Sequence, residues 1–115
     1  MPRVVSVHEY QLSPGVEPAE FEAAVGAARE RGLFDLPGLV EVRLLRALRT
    51  TRRQTYAMLW VYESREAWEA LWGPPGQPVP PGRHPGVWQE WENDVLARFL
   101  DRKPDTIDYG AYEEI

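Results

Sequence analysis

The chain has 115 residues, a net charge of −5 and no cysteine. The length is typical of one folding unit, so we expect a single domain over residues 1–115. Without cysteine there is no disulfide, thiol nucleophile or thiolate metal site, and the negative charge argues against nucleic acid as a partner. No apolar run is long enough to span a bilayer and Met1–Tyr10 lacks signal-peptide features, which predicts a cytoplasmic protein without a membrane partner.

The first third of the chain predicts a strand followed by a helix. Arg3–Leu12 alternates at period two, as strands do. Pro18 suits the first turn of a helix, and apolar residues then recur at helical spacing until Gly32 favours a stop. We therefore predict a helix over Pro18–Arg31. The apolar residues that follow it are expected beneath the sheet: Leu33, Phe34 and Leu36.

The centre of the chain predicts two strands, Leu39–Thr50 and Gln54–Glu63, with apolar residues on both faces. The polar stretch Thr50–Arg53 joins them, and so short a connection implies antiparallel pairing. Read at period two, one face is aliphatic and comprises Val40, Val42, Leu44, Leu48, Ala57, Leu59 and Val61. The other face is richer in aromatic residues and comprises Leu39, Leu45, Ala47, Tyr56, Met58, Trp60 and Tyr62.

The last part of the chain predicts two helices and a strand. Ser64 is a good N-cap for a helix over Arg65–Trp72. Gly73–Gly86 is rich in proline and glycine, which indicates a covering loop or a lid. Helical spacing resumes over Val87–Leu100, and Thr106–Ile115 alternates as a final strand.

The resulting order, β-α-β-β-α-α-β, is typical of the α+β split ferredoxin-like fold. We expect a four-stranded antiparallel sheet with helices on one face and an extra helix before the last strand. Crossovers of one hand place the helices together, and we expect them to cover the aliphatic face. The aromatic face would then lie bare, with His8, Tyr10 and Arg43 on it. So large an apolar surface predicts burial against a second copy of the chain in a homodimer.

Several stretches resemble NIPSNAP-like proteins and their antibiotic-biosynthesis-monooxygenase-like relatives. These stretches are His8–Gly15 before an acidic helix, Leu36–Val42, Trp60–Trp68, and His84-Pro85 ahead of Trp88. The resemblance implies the dimeric α/β-barrel superfamily, in which the sheets of two subunits face each other. Its members include cofactor-free oxygenases of polycyclic phenols, haem-degrading enzymes, lactone isomerases and proteins without known activity.

Two residues are candidates for catalysis. A neutral His8 imidazole would take a proton from a phenolic substrate, and Arg43 would hold a developing negative oxygen by a forked contact. The alternatives are a histidine that is hydrogen-bonded within the dimer interface and an arginine that pairs with Glu41. With two histidines and no acidic cluster at metal spacing, we expect no metal and no cofactor.

The candidate ligand-binding residues would shape an apolar pocket, either between helices and sheet or at the dimer seam. They are Tyr10, Met58, Trp60, Tyr62 and His84. Trp60 is the favoured residue for stacking on a flat ligand, because the remaining tryptophans recur at helical spacing and suggest core packing. His84 is placed over the pocket mouth as an acid, a base or a haem ligand, or more simply in a turn.

The leading functional hypothesis is a homodimer that binds a small apolar or aromatic molecule. Such a protein would resemble a cofactor-independent monooxygenase acting on a flat phenolic or polycyclic substrate. The first alternative is a non-catalytic dimerisation or ligand-carrying module, and the weaker one is a haem-binding or haem-degrading protein. The haem-degrading branch has an asparagine on the first strand, a tryptophan on the second helix and a histidine after it. Of these three, only His84 has a match here.

Overall fold

A computed structural model describes residues 2–51 and 54–115 and contains a four-stranded antiparallel sheet with helices on one face. The strands are β1 (Val4–Tyr10), β2 (Leu39–Arg46), β3 (Tyr56–Tyr62) and β4 (Tyr109–Glu113). Their order across the sheet is β2-β3-β1-β4, which confirms the predicted ferredoxin-like arrangement. Arg52 and Arg53, in the stretch between β2 and β3, lie outside the described residues.

The first two helices begin where the local signals predict. Helix α1 (Pro18–Glu30) has proline in its first turn, and Gly32 follows with a φ of 78°, a left-handed conformation that favours glycine. Helix α2 (Arg65–Trp72) begins after Ser64, whose hydroxyl accepts a hydrogen bond from the backbone N–H of Ala67 at 3.1 Å. This bond satisfies one of the free donors at the start of the helix.

Helix α3 covers residues 86–99 and is irregular in the middle. It starts as the α-helical segment Gly86–Glu90, continues as the π-helical segment Trp91–Leu96 and ends with Ala97–Phe99. Helical periodicity predicted a regular helix there, because a single widened turn leaves little trace in apolar spacing. Such widened turns are rare and often occur near functional sites.

The helices cover the aromatic face of the sheet, so the predicted assignment of the two faces is wrong. The sheet residues buried beneath the helices are Val4, Ser6, Tyr10, Val42, Tyr56, Met58, Trp60 and Tyr62. Phe21 of α1 packs between Tyr10 and Tyr56, with ring centroids 6.1 and 5.0 Å away. Trp91 of α3 lies 6.2 Å from Trp60. We call this side the helix-covered face.

The error arises from the register between β2 and β3. Leu44 lies opposite Met58 and Val42 opposite Trp60, so aliphatic residues of β2 share a face with aromatic residues of β3. An irregularity between Leu39 and Glu41 accommodates Val40 as an extra residue. Because side chains alternate with period two, a slip of one residue moves every side chain to the other face.

The opposite side, which we call the open face, carries none of the helices in residues 2–51 and 54–115 and is largely aliphatic. Its residues are Val5, Val7, Glu9, Glu41, Arg43, Leu45, Ala57, Leu59, Val61, Gly110 and Tyr112. Leu45 is 45% exposed and Tyr112 is 63% exposed. A sheet of this size therefore still presents an apolar surface to its surroundings, although not the aromatic one that was expected.

Candidate functional site

A cavity of about 490 Å³ lies between the helix-covered face, α2, α3 and the proline-rich stretch after α2. The sheet contributes Ser6, His8, Tyr62, Tyr109 and Ala111 to its wall. The helices contribute Trp68, Trp72, Trp88, Glu92 and Leu96. The volume lies within the range of small-molecule sites, and the wall is mainly apolar, built from prolines and aromatic side chains.

Backbone hydrogen bonds hold the proline-rich stretch, residues 73–86, against the end of α2 beside the cavity. Gly73 ends α2 with a φ of 85°, and a side chain there would collide with the backbone oxygen of Gln77. The chain then returns to the helix, where the N–H of Val79 donates to the carbonyl oxygen of Trp72 at 2.9 Å. The stretch therefore folds back onto α2 and forms part of the cavity wall, and we call it the covering loop.

His8 lies at the floor of the cavity, packed among aromatic rings. The centroid of its imidazole is 5.7 Å from those of Trp60, Trp88 and Tyr109. Burial lowers the pKa of His8 to about 4, so the ring is neutral near pH 7. Its Nδ1 has no hydrogen-bond partner, although the residue as a whole is only half-buried and lines the cavity. A neutral imidazole has one donor and one acceptor nitrogen for a bound molecule.

His84 lies on the covering loop and also lines the cavity. Its ring meets the edge of Trp72 at a centroid distance of 5.1 Å, and its backbone oxygen accepts from Gln89 Nε2 at 2.8 Å. Burial lowers the pKa of His84, while an interaction with the backbone of Val79 acts in the opposite direction. Nδ1 of this ring is also buried without a partner.

Tyr62 and Trp72 form a hydrogen-bonded pair in the wall. The Trp72 indole N–H donates to the Tyr62 hydroxyl at 3.2 Å. Burial raises the pKa of Tyr62 to about 12, so its hydroxyl stays protonated near pH 7 and has a proton to donate. Tyr62 was a predicted ligand-binding residue, and the structure places it in the cavity wall.

The charged residues of the cavity wall are both acidic. They are Glu92 of α3 and Asp105 of the short helical turn Pro104–Thr106. Burial raises the pKa of Glu92, the charge of Asp105 raises it further, and the Trp88 side chain acts in the opposite direction. Among residues 2–51 and 54–115, no lysine or arginine lines the cavity.

Four predicted site residues lie elsewhere. Tyr10, Met58 and Trp60 are fully buried in the core and do not line the cavity. Trp60 backs the His8 ring instead of facing a ligand. Arg43 projects from the open face, where it pairs with Glu41, so it cannot act on a molecule that contacts His8. The predicted oxyanion role of Arg43 is wrong for the same reason as the face assignment.

Several wall residues were missed by sequence reasoning. Ser6 shares strand parity with His8 and was recoverable from the alternation alone. Trp88, Glu92 and Leu96 recur every four residues, which places them on one side of a helix. Tyr109 lies on the predicted final strand and was recoverable from its alternation. Asp105 had no local signal, because its position depends on how the chain packs after α3.

Within the described ranges, no three histidine, aspartate or glutamate side chains come together as a metal site would require. None of the helices in these ranges combines the length and apolar character needed to cross a membrane.

No protein-family profile and no curated protein matches the sequence. Solved structures do match. A proposed antibiotic biosynthesis monooxygenase from Bordetella bronchiseptica superposes with a TM-score of 0.68 at 17% identity, covering 100% of this chain and 99% of that chain. SnoaB, a cofactor-independent oxygenase from Streptomyces nogalater, gives a TM-score of 0.61 at 18% identity, with 100% and 95% covered.

A dimeric ferredoxin-like protein of unknown function from Jannaschia sp. gives a TM-score of 0.61 at 19% identity, with 97% of this chain and 99% of that chain covered. At these identities the likeness establishes the ferredoxin-like fold. The neighbours agree with the resemblance to antibiotic-biosynthesis-monooxygenase-like proteins that the sequence motifs indicate.

Proposed function

We propose that this protein binds a flat, mainly apolar aromatic molecule in the cavity, with a hydroxyl group directed at His8. The observation that carries the proposal is the neutral His8 ring that lines the cavity floor among aromatic side chains. An apolar wall selects for an aromatic body, and the few polar groups within it fix the ligand's orientation. A cavity of about 490 Å³ has room for two to four fused rings.

The binding energy would come mainly from the rings of Trp72, Trp88 and Tyr109. An aromatic ligand removes apolar surface from water and meets these rings at their edges and faces. The hydrogen bond to His8 adds direction more than strength, since a neutral hydrogen bond contributes on the order of 1 kcal/mol. Leaving that imidazole unpaired in the bound state would cost affinity, so ligands with a hydroxyl group are favoured.

Oxygenation of the bound phenol without a cofactor is the catalytic form of this proposal. His8 takes the phenolic proton, the electron-rich ring reacts with O₂ to form a carbon–oxygen bond, and loss of water leaves a quinone. One phenol and one O₂ give one quinone and one water, so no further reductant is needed. SnoaB, which shares the fold, is a cofactor-independent oxygenase.

The position of Arg43 changes how such a reaction would be stabilised. With no cation in the described part of the wall, the protonated His8 ring itself is the counter-charge of the phenolate. Burial lowers the pKa of His8 to about 4, which disfavours the protonated ring. The protonated ring that forms on proton transfer is therefore stabilised mainly by the phenolate beside it. A carrier that binds the same molecule without turnover is the second candidate function.

We further propose that two copies associate through the open face. Leu45 and Tyr112 leave apolar surface exposed there, and the strands β1 and β3 contribute further aliphatic side chains. The Jannaschia protein with the same fold is dimeric. Packing of two such sheets would give the dimeric α/β barrel that the sequence resemblance implies.

The binding proposal is tested by calorimetric titration with 2-naphthol and 2-methoxynaphthalene. These probes have the same ring system, but only the first can donate a hydrogen bond. We expect 2-naphthol to bind the parent protein about tenfold more tightly, and His8→Leu to abolish that difference. Tyr10→Phe, which removes a hydroxyl outside the cavity, should retain it.

Equal affinities for the two probes in the parent protein would contradict the role of His8. If neither probe binds, the binding site itself is contradicted. The catalytic form is tested by oxygen uptake with hydroxylated polycyclic aromatics. It requires one O₂ consumed per quinone formed in the parent protein and loss of turnover in His8→Leu. Tight binding without oxygen uptake supports the carrier.

A further inference from the structure

The cavity wall combines aromatic rings with two carboxylates and, in the described part of the chain, no lysine or arginine. We propose that the bound molecule carries an ammonium group, held between Glu92, Asp105 and the neighbouring tryptophan rings. This inference rests on the proposed function for the position of the aromatic body, and it adds the charge of the ligand. It therefore narrows the ligand class to molecules with an aromatic body and a protonated amine on an aliphatic carbon.

The first argument is the lack of an ion partner for Glu92. Its side chain is half-buried in the wall, and among residues 2–51 and 54–115 no basic group lies within salt-bridge distance of Glu92 or Asp105. A partly desolvated carboxylate without a counter-charge is unfavourable, and a second carboxylate close by makes it more so. A ligand cation would relieve both costs at once.

The contrast with the surface carboxylates supports this argument. Glu22, Glu69 and Glu90, which lie outside the cavity, each pair with an arginine. None of those arginines reaches the cavity. The two acidic groups of the wall therefore have no cationic partner in the described part of the chain.

The second argument is the geometry of the rings beside Glu92. Trp72 and Trp88 meet edge to face, with centroids 5.0 Å apart and planes at 65°, and both line the cavity. Tyr62 and Tyr109 line the same cavity. Rings set at an angle around a cavity attract a cation through their electron-rich faces, which is how ammonium groups are bound in aromatic cages.

The spacing along α3 explains why the Trp88 ring and the Glu92 carboxylate lie close together. Trp88 and Glu92 are four residues apart on α3, so their side chains lie one above the other on the same side of the helix. The ammonium group would sit near this pair, while the aromatic body of the ligand extends toward His8. Carboxylate- or phosphate-bearing molecules would meet repulsion from Glu92 and Asp105.

The test uses three probes of nearly the same shape: 1-naphthylmethylammonium, 1-naphthalenemethanol and 1-naphthoate. Their affinities are measured by calorimetric titration near pH 7 at low salt. We expect the cation to bind about tenfold more tightly than the alcohol, and the anion to bind most weakly. Glu92→Gln should weaken the cation about tenfold while changing the alcohol by less than about twofold. Asp94→Asn, an exposed carboxylate on the same helix, is the matched control and should change neither.

The outcomes separate this inference from the proposed function. Equal affinities for the cation and the alcohol contradict the ammonium site but leave the aromatic site intact. A preference for the cation that persists in the Glu92→Gln/Asp105→Asn double variant also contradicts it, because the carboxylates would then not be its source. Binding of the cation without binding of the alcohol or 2-naphthol supports the ammonium site and contradicts the proposed aromatic site. If none of these probes binds, both proposals fail.

Discussion

The His8 imidazole packs against the Trp60 indole with ring centroids 5.7 Å apart and planes tilted by 45°. Trp60 is fully buried, so it forms a dry wall behind the histidine and keeps water from one side of the ring. The other side lines the cavity. This arrangement explains why His8 stays neutral although one side of its ring lines the cavity.

The first prediction concerns stability against acid. Burial lowers the pKa of His8 from 6.5 to about 4, so below pH 6.5 the unfolded chain takes up a proton that the folded protein does not. The free energy of unfolding should therefore fall as the pH drops from 6.5 toward 4, by about 3 kcal/mol at most. Above pH 6.5 this contribution vanishes.

This loss of stability is measured by urea unfolding at several pH values between 6.5 and 4. Other groups titrate in this range, so the informative quantity is the difference between proteins. His8→Gln should show a shallower pH dependence than the parent, whereas His84→Gln should stay closer to the parent. Identical slopes for the parent and His8→Gln would rule out the buried neutral histidine.

The second prediction separates Arg43 from the cavity. Arg43 lies on the open face and pairs with Glu41, so Arg43→Gln should change the affinity for 2-naphthol by less than about twofold. His8→Leu in the same calorimetric titration should weaken it about tenfold. A strong loss of affinity in Arg43→Gln would mean that the guanidinium reaches the ligand.

The third prediction tests association through the open face. Val7 lies on the central strand β1 and faces that side, opposite Leu59 of β3. A glutamate at this position would be buried without a partner between two copies, at a cost of roughly 3 kcal/mol or about a hundredfold in the dissociation constant. Val7→Glu should therefore sediment as a monomer at micromolar concentrations, where the parent sediments as a dimer.

Ala27→Glu is the control for this experiment, because Ala27 is exposed on α1, away from the open face. It should leave the sedimentation coefficient unchanged. A monomeric parent protein would contradict the dimer directly. An unchanged dimer in Val7→Glu would place the interface elsewhere.

The fourth prediction compares two glycines in the left-handed region. Gly15 has a φ of 86° with open space around it, so Gly15→Ala should cost about 1 kcal/mol of unfolding free energy from backbone strain alone. Gly73 has a φ of 85°, and a side chain there would also collide with the backbone of Gln77. Gly73→Ala should therefore be clearly more destabilising by thermal or urea unfolding. Equal losses of unfolding free energy in the two variants would mean that the covering loop shifts to accommodate the added side chain at little cost.

The sequence predicted most elements of the fold because their signals are local. Pro18, Gly32 and Ser64 each act within one helical turn, and the structure has helix ends at or beside them. The faces of the sheet could not be assigned in this way. Both were apolar, and the extra residue at Val40 changes the alternation within β2 without any local sign.

The candidate site was recovered in part for the same reason. His8 and Tyr62 follow from strand parity, and His84 from its place in the loop before α3. Tyr10, Met58 and Trp60 share that parity but lie under α1 and α3, so parity alone could not separate cavity wall from core. Glu92 and Asp105 meet only when α3 and the following turn have packed, a relationship that depends on tertiary structure.

The cavity and the open face occupy opposite sides of one sheet. If two copies join sheet to sheet, each entrance points outward, away from the two-fold axis. A ligand would then reach the cavity of either subunit without disturbing the dimer interface. Occupancy of one cavity would not alter the affinity of the other. Saturation of such a pair should follow a simple hyperbola rather than a sigmoidal curve.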